Sequence, residues 1–341
     1  MQIYLDSFGA YLTVRNGQFR VRLRSGEERL FAVREVSAVL LTKGTGLSAD
    51  AALLAVDADV PVLLIDANTH HPLAQVSSGR PGSIATIRKN QLAFSRSAEG
   101  YGWAARTIAQ KIEGQRKLLL HLAESPNAPA GFAAEVALHD PTLAALELGL
   151  RNWATAPAAW DAAAADAAAG QFRGQEGTAS RLYFQKIGAY LNDAAVFDHR
   201  QARPAYDPFN AMLNYLYGIL YTSVHLALLK SGLDPFVAVL HADRYGGAPT
   251  LVFDAIEPYR PWADRVAVGL AEQGGLLADT AFEPDPEQRG LWLSQAGKGA
   301  AIEAMLAFLD APADYGGRQV KRRVQIDLEA QKLAVFLKGY G

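Results

Sequence analysis

The chain has 341 residues, half of them hydrophobic and a fifth charged, the balance of a folded globular protein. That length exceeds what one hydrophobic core usually organises, so two domains are predicted. With 33 Lys and Arg against 35 Asp and Glu the net charge is -2, which leaves any nucleic-acid or membrane contact to local patches, and the absence of cysteine excludes disulfides, thiolate nucleophiles, iron–sulfur clusters and cysteine-ligated zinc.

The opening Met1-Gln2-Ile3-Tyr4-Leu5-Asp6 has no basic stretch ahead of an apolar run, and no uncharged apolar segment reaches membrane-spanning length. The expected location is the cytoplasm. Through residue 80 the patterns are those of strands. In Phe19-Arg20-Val21-Arg22-Leu23-Arg24 apolar residues alternate with arginines, the period of a half-buried strand, and Asn16-Gly17 supplies the hairpin turn before it. Val36 to Thr42 and Val60 to Asp66 are further apolar strands around a short helix capped by Ser48, and Pro72 to Val76 closes the sheet. His70-His71 reads as a turn after a strand and not as a metal site.

Residues 77 to 83, Ser-Ser-Gly-Arg-Pro-Gly-Ser, have the composition of a linker and mark the domain boundary. Beyond it the apolar spacing becomes helical, as in Trp103, Ile108, Ile112, Leu118 and Leu119. An alanine-rich exposed helix with its flanks is expected over 154 to 169, a long helix from Asp207 to Leu229, and another from Ala300 to Leu309. The fold class is therefore α+β: a small N-terminal β-rich domain, residues 1–80, then a larger all-helical domain, residues 84–341.

Four residues at three places in the chain are more polar than their apolar surroundings require. Glu176 is placed near the start of a helix, where a first-turn carboxylate complements the helix dipole. His241 ends the run Phe236-Val237-Ala238-Val239-Leu240, where a hydrogen-bonded core histidine is the plain alternative to a ligand. Asp254 and Glu257 stand three apart, on one face if the segment is helical, and would repel unless a cation lay between them. Two carboxylates and an imidazole suit Mg2+ or Mn2+, although this spacing alone does not single out a metal site. Tyr183, Tyr206, Tyr215 and Trp262 read as core or supporting residues.

Four blocks then occur in a characteristic order and spacing. They are Glu176-Gly177-Thr178-Ala179-Ser180-Arg181-Leu182-Tyr183-Phe184; Asp207-Pro208-Phe209-Asn210-Ala211-Met212-Leu213-Asn214-Tyr215-Leu216-Tyr217; Leu240-His241; and Phe253 to Arg265. Together they resemble the CRISPR adaptation integrase/endonuclease, the CRISPR-associated protein one family, over nearly the full length. The resemblance implies an N-terminal dimerisation domain and a helical catalytic domain. It also implies a divalent cation, Mg2+ or Mn2+, held by Glu176, His241 and Glu257, with Asp254 as a neighbour or alternative ligand. Two positions depart from the family pattern. Ser180 stands where alanine is more usual, and Pro258-Tyr259 where another acidic residue and an aromatic one are common, which lowers the local charge.

The implied reaction inserts short DNA fragments, spacers, into a CRISPR array by transesterification, with nuclease action on branched DNA. Because one phosphodiester is exchanged for another, no nucleotide cofactor is called for, consistent with the absence of a GxxxxGK[ST] run. The implied partners are double-stranded and branched DNA, a second copy of the chain, and a small ferredoxin-like second adaptation subunit. The alternatives are a metal-dependent branched-DNA nuclease of repair or transposition, and a non-catalytic DNA-binding scaffold.

Basic residues add DNA-contact candidates. Arg80, Arg88, Lys89, Arg96, Arg106, Lys111, Arg116 and Lys117 face only Glu99 and Glu113 over the same stretch, although a solvated helix face is the plain alternative. Arg318, Lys321, Arg322 and Arg323 follow Gly316-Gly317 and read as a mobile phosphate-binding loop, and Arg181 lies inside the first block. Arg20, Arg22 and Arg24 read as a solvated strand face.

Overall fold

Two small sheets and one helix make up the first 76 residues of the computed structural model, which describes residues 1–76, 84–153, 160–193, 196–202, 204–241, 248–274, 280–284 and 290–340. In chain order these elements are β1 (Gln2–Leu5), β2 (Tyr11–Arg15), β3 (Gln18–Arg22), β4 (Glu28–Phe31), β5 (Ala38–Leu41), β6 (Gly46–Leu47), α1 (Ala49–Asp57), β7 (Val62–Ile65) and β8 (Pro72–Val76). One sheet runs β1-β5-β7-β8, its first three strands parallel, and the other runs β4-β3-β2-β6. The Asn16-Gly17 turn has φ of 51° and 71°, the left-handed geometry that a two-residue hairpin requires. Phe19 and Val21 point inward while Arg22 is exposed, and Ser48 caps α1 by accepting the Ala51 N–H.

β5 is buried on both faces, and that places it at the junction. Val39 and Leu41 join the core shared by both sheets and α1, whereas Ala38 and Leu40 face Leu226 from the helical part, together with Leu63 and Ile65 of β7. His70, in a left-handed conformation at φ 57°, lies in this junction beside Tyr4 and Tyr215, with its Nδ1 3.4 Å from Thr222 Oγ1. The expected turn is present, with His70 N–H bonded back to the Asp66 carbonyl. The proposed linker, residues 77–83, lies outside the described residues.

The helical part contains α2 (Ile84–Phe94), α3 (Ala98–Ala123), α4 (Phe132–Arg151), α5 (Ala162–Leu191), α6 (Pro208–Lys230), α7 (Thr250–Ala255), α8 (Arg260–Glu272), α9 (Gln295–Asp310) and α10 (Arg322–Lys338). α6 starts at an Asp207 cap, with Pro208 in its first turn, where the missing N–H costs nothing. It is apolar nearly all round because it is the central helix. Contrary to the expectation from the sequence, it is by length and composition apolar enough to cross a membrane, yet 78% of that window is buried inside the protein, as in the core helix of a folded domain.

Several expectations change in detail. The helical part also carries two hairpins, β9 (Phe282–Pro284) with β10 (Leu291–Leu293) and β11 (Pro312–Tyr315) with β12 (Arg318–Lys321). Gly316-Gly317 is the turn of the second, so the basic segment after it is not a loop. Arg318 and Lys321 lie on a strand, and Arg322 and Arg323 begin α10. Asp310 holds Lys321 and Arg323, and Arg322 stacks 4.0 Å over the Phe308 ring. Part of the charge between Arg80, which lies outside the described residues, and Lys117 is paired within the chain: Arg116 with Asp140 and Glu147, and the exposed Lys117 with Glu113. Tyr206, expected to be buried or supporting, is 61% exposed. Of the alanine-rich segment, residues 154–159 lie outside the described residues and the remainder opens α5.

Candidate active site

One cavity of about 770 Å³ collects all four acidic or imidazole positions singled out in the sequence, Glu176, His241, Asp254 and Glu257. They come from different elements. Glu176 is on α5, His241 follows the apolar run after α6, Asp254 is on α7, and Glu257 opens the helical turn that leads into α8.

Glu176 is not a first-turn residue. α5 begins fourteen residues earlier, and in mid-helix the dipole argument lapses because backbone groups there are paired. The helical period explains its direction instead: Arg173, Glu176, Ser180 and Phe184 recur at three- and four-residue intervals and all line the cavity. Ser180, the small departure in the first block, donates its hydroxyl to Glu176 Oε1 at 3.1 Å.

Asp254 and Glu257 have separate tasks. Asp254 is buried; its Oδ2 accepts the backbone N–H groups of Val239 (2.7 Å) and Leu240 (3.0 Å), and its Oδ1 meets His241 Nδ1 at 2.5 Å. The carboxylate thereby fixes both the approach of the chain to His241 and the imidazole itself. Glu257 faces two cations, with Arg260 Nε donating to its Oε1 at 2.7 Å and Lys111 Nζ lying 2.7 Å from its Oε2. Burial alone would raise its pKa, but Arg260 and Lys111 hold it down at about 2. Lys111, from the buried face of α3, also pairs with Glu176. Burial disfavours its charge, yet Glu257 and Glu176 outweigh that and raise its pKa.

Lys111 and Arg260 are the supporting residues that the sequence reading missed. Lys111 counted only as one member of a basic run. The available signal was its register, since Ile108, Lys111, Ile112 and Gln115 form the inward stripe of α3, a costly place for an unpaired ammonium. Behind Arg260 lies a further buried carboxyl, Asp264, which accepts Tyr183 and Tyr217 hydroxyls at 2.9 and 2.6 Å. Its pKa is raised to about 6 by burial, and the two tyrosines offset part of that rise.

The cavity walls are basic. Arg173 and Arg181 are exposed on α5, and Arg200 stands between the Tyr217 and Phe184 rings, bonded to the neutral amides of Asn210 and Asn214. Arg318, Lys321, Arg322 and Arg323 are not among the cavity's lining residues. Such a site, with two carboxylates, an oriented imidazole and several cations, suits a polyanionic substrate.

A family model for the CRISPR associated protein Cas1 matches residues 3–306. The chain belongs to the Cas1 family. It is 28% identical to the CRISPR-associated endonuclease Cas1 1 of Archaeoglobus fulgidus over 99% of this chain and 97% of that relative. A CRISPR-associated endonuclease Cas1 1 from Thermus thermophilus is 27% identical over 100% of this chain and 97% of its own length. Among solved structures, a Cas1 protein from Thermotoga maritima superposes with a TM-score of 0.75 at 18% identity, covering 100% of this chain and 99% of that one. A casposase bound to its integration product gives 0.76 at 19% identity, covering 100% and 91%. These structures establish the shared fold: a strand-rich N-terminal part followed by a mostly helical one.

Proposed function

We propose that this Cas1-family chain is a divalent-cation-dependent DNA endonuclease and integrase that inserts short DNA fragments into a CRISPR array. The observation that carries the reading is the convergence of Glu176, His241 and Glu257, 81 positions apart from first to last, on one cavity rimmed by arginines. Among the described residues no three acidic or imidazole side chains are already closed into a metal cluster. The donor set nevertheless fits a cation. Glu257 Oε2 is buried and receives no aligned hydrogen bond, and the two carboxylates are drawn around the positive charge of Lys111. Glu176, Glu257 and His241 would hold Mg2+ or Mn2+, with His241 presenting Nε2 because Asp254 engages Nδ1. A bound cation would supply Lewis-acid stabilisation of charge on a phosphoryl group.

The remaining chemistry falls to the chain. In strand transfer a DNA 3′-hydroxyl forms a new P–O bond while the old one breaks and its oxygen departs as the other strand's 3′-hydroxyl, so no external energy source is needed. Arg173, Arg181 and Arg200 attract and position the phosphates. Asp254 keeps His241 in one orientation. The strand-rich part is proposed to pair two copies, in keeping with a unit too small to bury much of its own surface. A second adaptation subunit is the proposed further partner; a solved Cas6-RT-Cas1–Cas2 complex contains a chain matching 99% of this one at a TM-score of 0.76. The cytoplasm is the corresponding location.

The test is strand transfer and branched-DNA cleavage on a supercoiled plasmid carrying the neighbouring repeat, with Mn2+ or Mg2+ and the partner subunit. His241→Ala, Glu176→Gln and Glu257→Gln are each expected to abolish both reactions while leaving DNA binding largely intact. Wild-type rates from Glu257→Gln would move the ligand role to Asp254, and wild-type rates from all three would overturn the enzyme reading.

A further inference from the structure

Lys111 occupies the place where a cation would be expected. Its side chain is only 8% exposed, and its ammonium reaches Glu176 on α5 and, at 2.7 Å, Glu257 at the start of the turn before α8. No other acidic side chain is recorded in an ion pair with it among the described residues, so its two partners are two of the three residues assigned to the metal. Neither carboxylate depends on Lys111 alone: Ser180 donates to Glu176, and Arg260 donates to Glu257. The lysine is thus a cross-link between two elements, α5 and the turn before α8, that no hydrogen bond between Glu176 and Glu257 could provide, since both are acceptors when ionised.

We infer that Lys111 is a built-in counter-cation that holds Glu176 and Glu257 together in the metal-free protein, so that divalent-cation binding at this site is an exchange in which the metal displaces the ammonium. Two buried or half-buried carboxylates converging on one point would otherwise repel and splay the cavity before metal arrives. The tethered ammonium removes that repulsion at no cost in translational freedom. It is also a competitor for the same oxygens, which weakens the site for metal. Lys111 is a positioning residue in this account, acting through the two glutamates.

The inference rests on the metal assignment of the proposed function, and the experiment separates the two. Mn2+ alone is titrated by calorimetry into wild type, His241→Ala, Lys111→Met and the double variant Lys111→Met/Glu176→Gln, with thermal unfolding of each in EDTA and in saturating Mn2+. Lys111→Met keeps the length and apolar stem and deletes the charge. It is expected to unfold at lower temperature than wild type in EDTA, to bind Mn2+ about tenfold more tightly, and to gain more in unfolding temperature from Mn2+ than wild type does. The double variant, relieved of one of the facing charges, should recover stability in EDTA. Recovery of folded Lys111→Met only when Mn2+ is present would support the exchange equally. Unchanged or weaker Mn2+ affinity in Lys111→Met overturns the inference, as does a double variant no more stable in EDTA than the single one, which would make the lysine a packing residue. If neither wild type nor Lys111→Met binds Mn2+, or if His241→Ala binds it as tightly as wild type, the metal assignment itself falls.

Discussion

His241 Nδ1 lies 2.5 Å from Asp254 Oδ1, and the other oxygen of the same carboxylate holds the two backbone N–H groups that precede the histidine. One buried side chain therefore sets the position of an imidazole twice, through its ring and through its backbone. Asp254→Asn keeps the shape but puts an amide N–H against either a backbone donor or the ring. Cleavage and strand transfer are expected to fall about 10- to 100-fold, the usual effect of losing an orienting partner, against complete loss in Glu257→Gln. Single-turnover rates at saturating Mn2+ distinguish the two. Loss as complete as in Glu257→Gln, with Mn2+ binding gone, would make Asp254 a direct ligand.

The arginines of α5 and those near the C-terminus should behave differently toward DNA. Arg173→Ala and Arg181→Ala remove exposed charges from the cavity mouth, and each is expected to flatten the plot of log affinity against log salt by about 0.9 per lost duplex-phosphate contact. Arg322→Ala removes a cation stacked on Phe308 that donates to the Phe308 and Ala311 carbonyls. Its expected effect is on folding, about 1 kcal/mol or more of stability, with little change in the salt slope. Fluorescence anisotropy over a salt series and urea unfolding measure the two quantities.

Local signals foretold local structure here. Asn16-Gly17 became a hairpin turn, Ser48 and Asp207 became caps, and the helical stripe of Ile108 and Ile112 became core, because each needs only a few neighbouring residues to act. The site was legible only as a set of residue blocks. Nothing in the spacing of Glu176, His241 and Glu257 brings them together, since that depends on how α3, α5 and α8 pack. The register of Lys111 on the inward stripe of α3 marked it as needing a partner, but which partner was illegible for the same reason: the carboxylates it meets are 65 and 146 positions away. The basic segment after Gly316-Gly317 was misread as a loop because a glycine pair is equally the signature of a tight hairpin turn, and Asp310, which pairs with its Lys321 and Arg323, precedes it in another element.

Two buried histidines give the fold an acid-sensitive window. Burial lowers the pKa of both His70 and His225 from 6.5 to about 4, because neither ring is easily charged out of water. Between those values the unfolded chain binds protons that the folded chain refuses. Stability is therefore fully present above about pH 6.5 and is lost as pH falls toward 4, by at most about 3 kcal/mol for each histidine. His70→Asn tolerates the left-handed backbone and removes one titrating group. It should be less stable than wild type at pH 7 and show a shallower loss between pH 6.5 and 4 in urea titrations. An unchanged slope would place the acid sensitivity elsewhere.

Gly218 on α6 links the junction of the two parts to the active site. A Cβ there would intrude on the Thr69 carbonyl group, 2.9 Å from its carbon, and the obstacle is backbone and cannot swing aside. Gly218→Ala must therefore push α6 away from the 67–71 turn, at an expected cost of about 1 to 3 kcal/mol. The neighbouring Tyr217 would move with it. That tyrosine holds Asp264 and lies under the Arg260 guanidinium, 4.9 Å from ring to cation, and Arg260 holds Glu257. Gly218→Ala should accordingly lower both the unfolding temperature and the affinity for Mn2+. Gly170→Ala is the contrasting change. It lies on an exposed face of α5 with nothing within 4 Å of the added carbon, so it should raise stability by about 1 kcal/mol and leave Mn2+ binding as it was. Wild-type Mn2+ affinity in a destabilised Gly218→Ala protein would show that the junction does not communicate with the site.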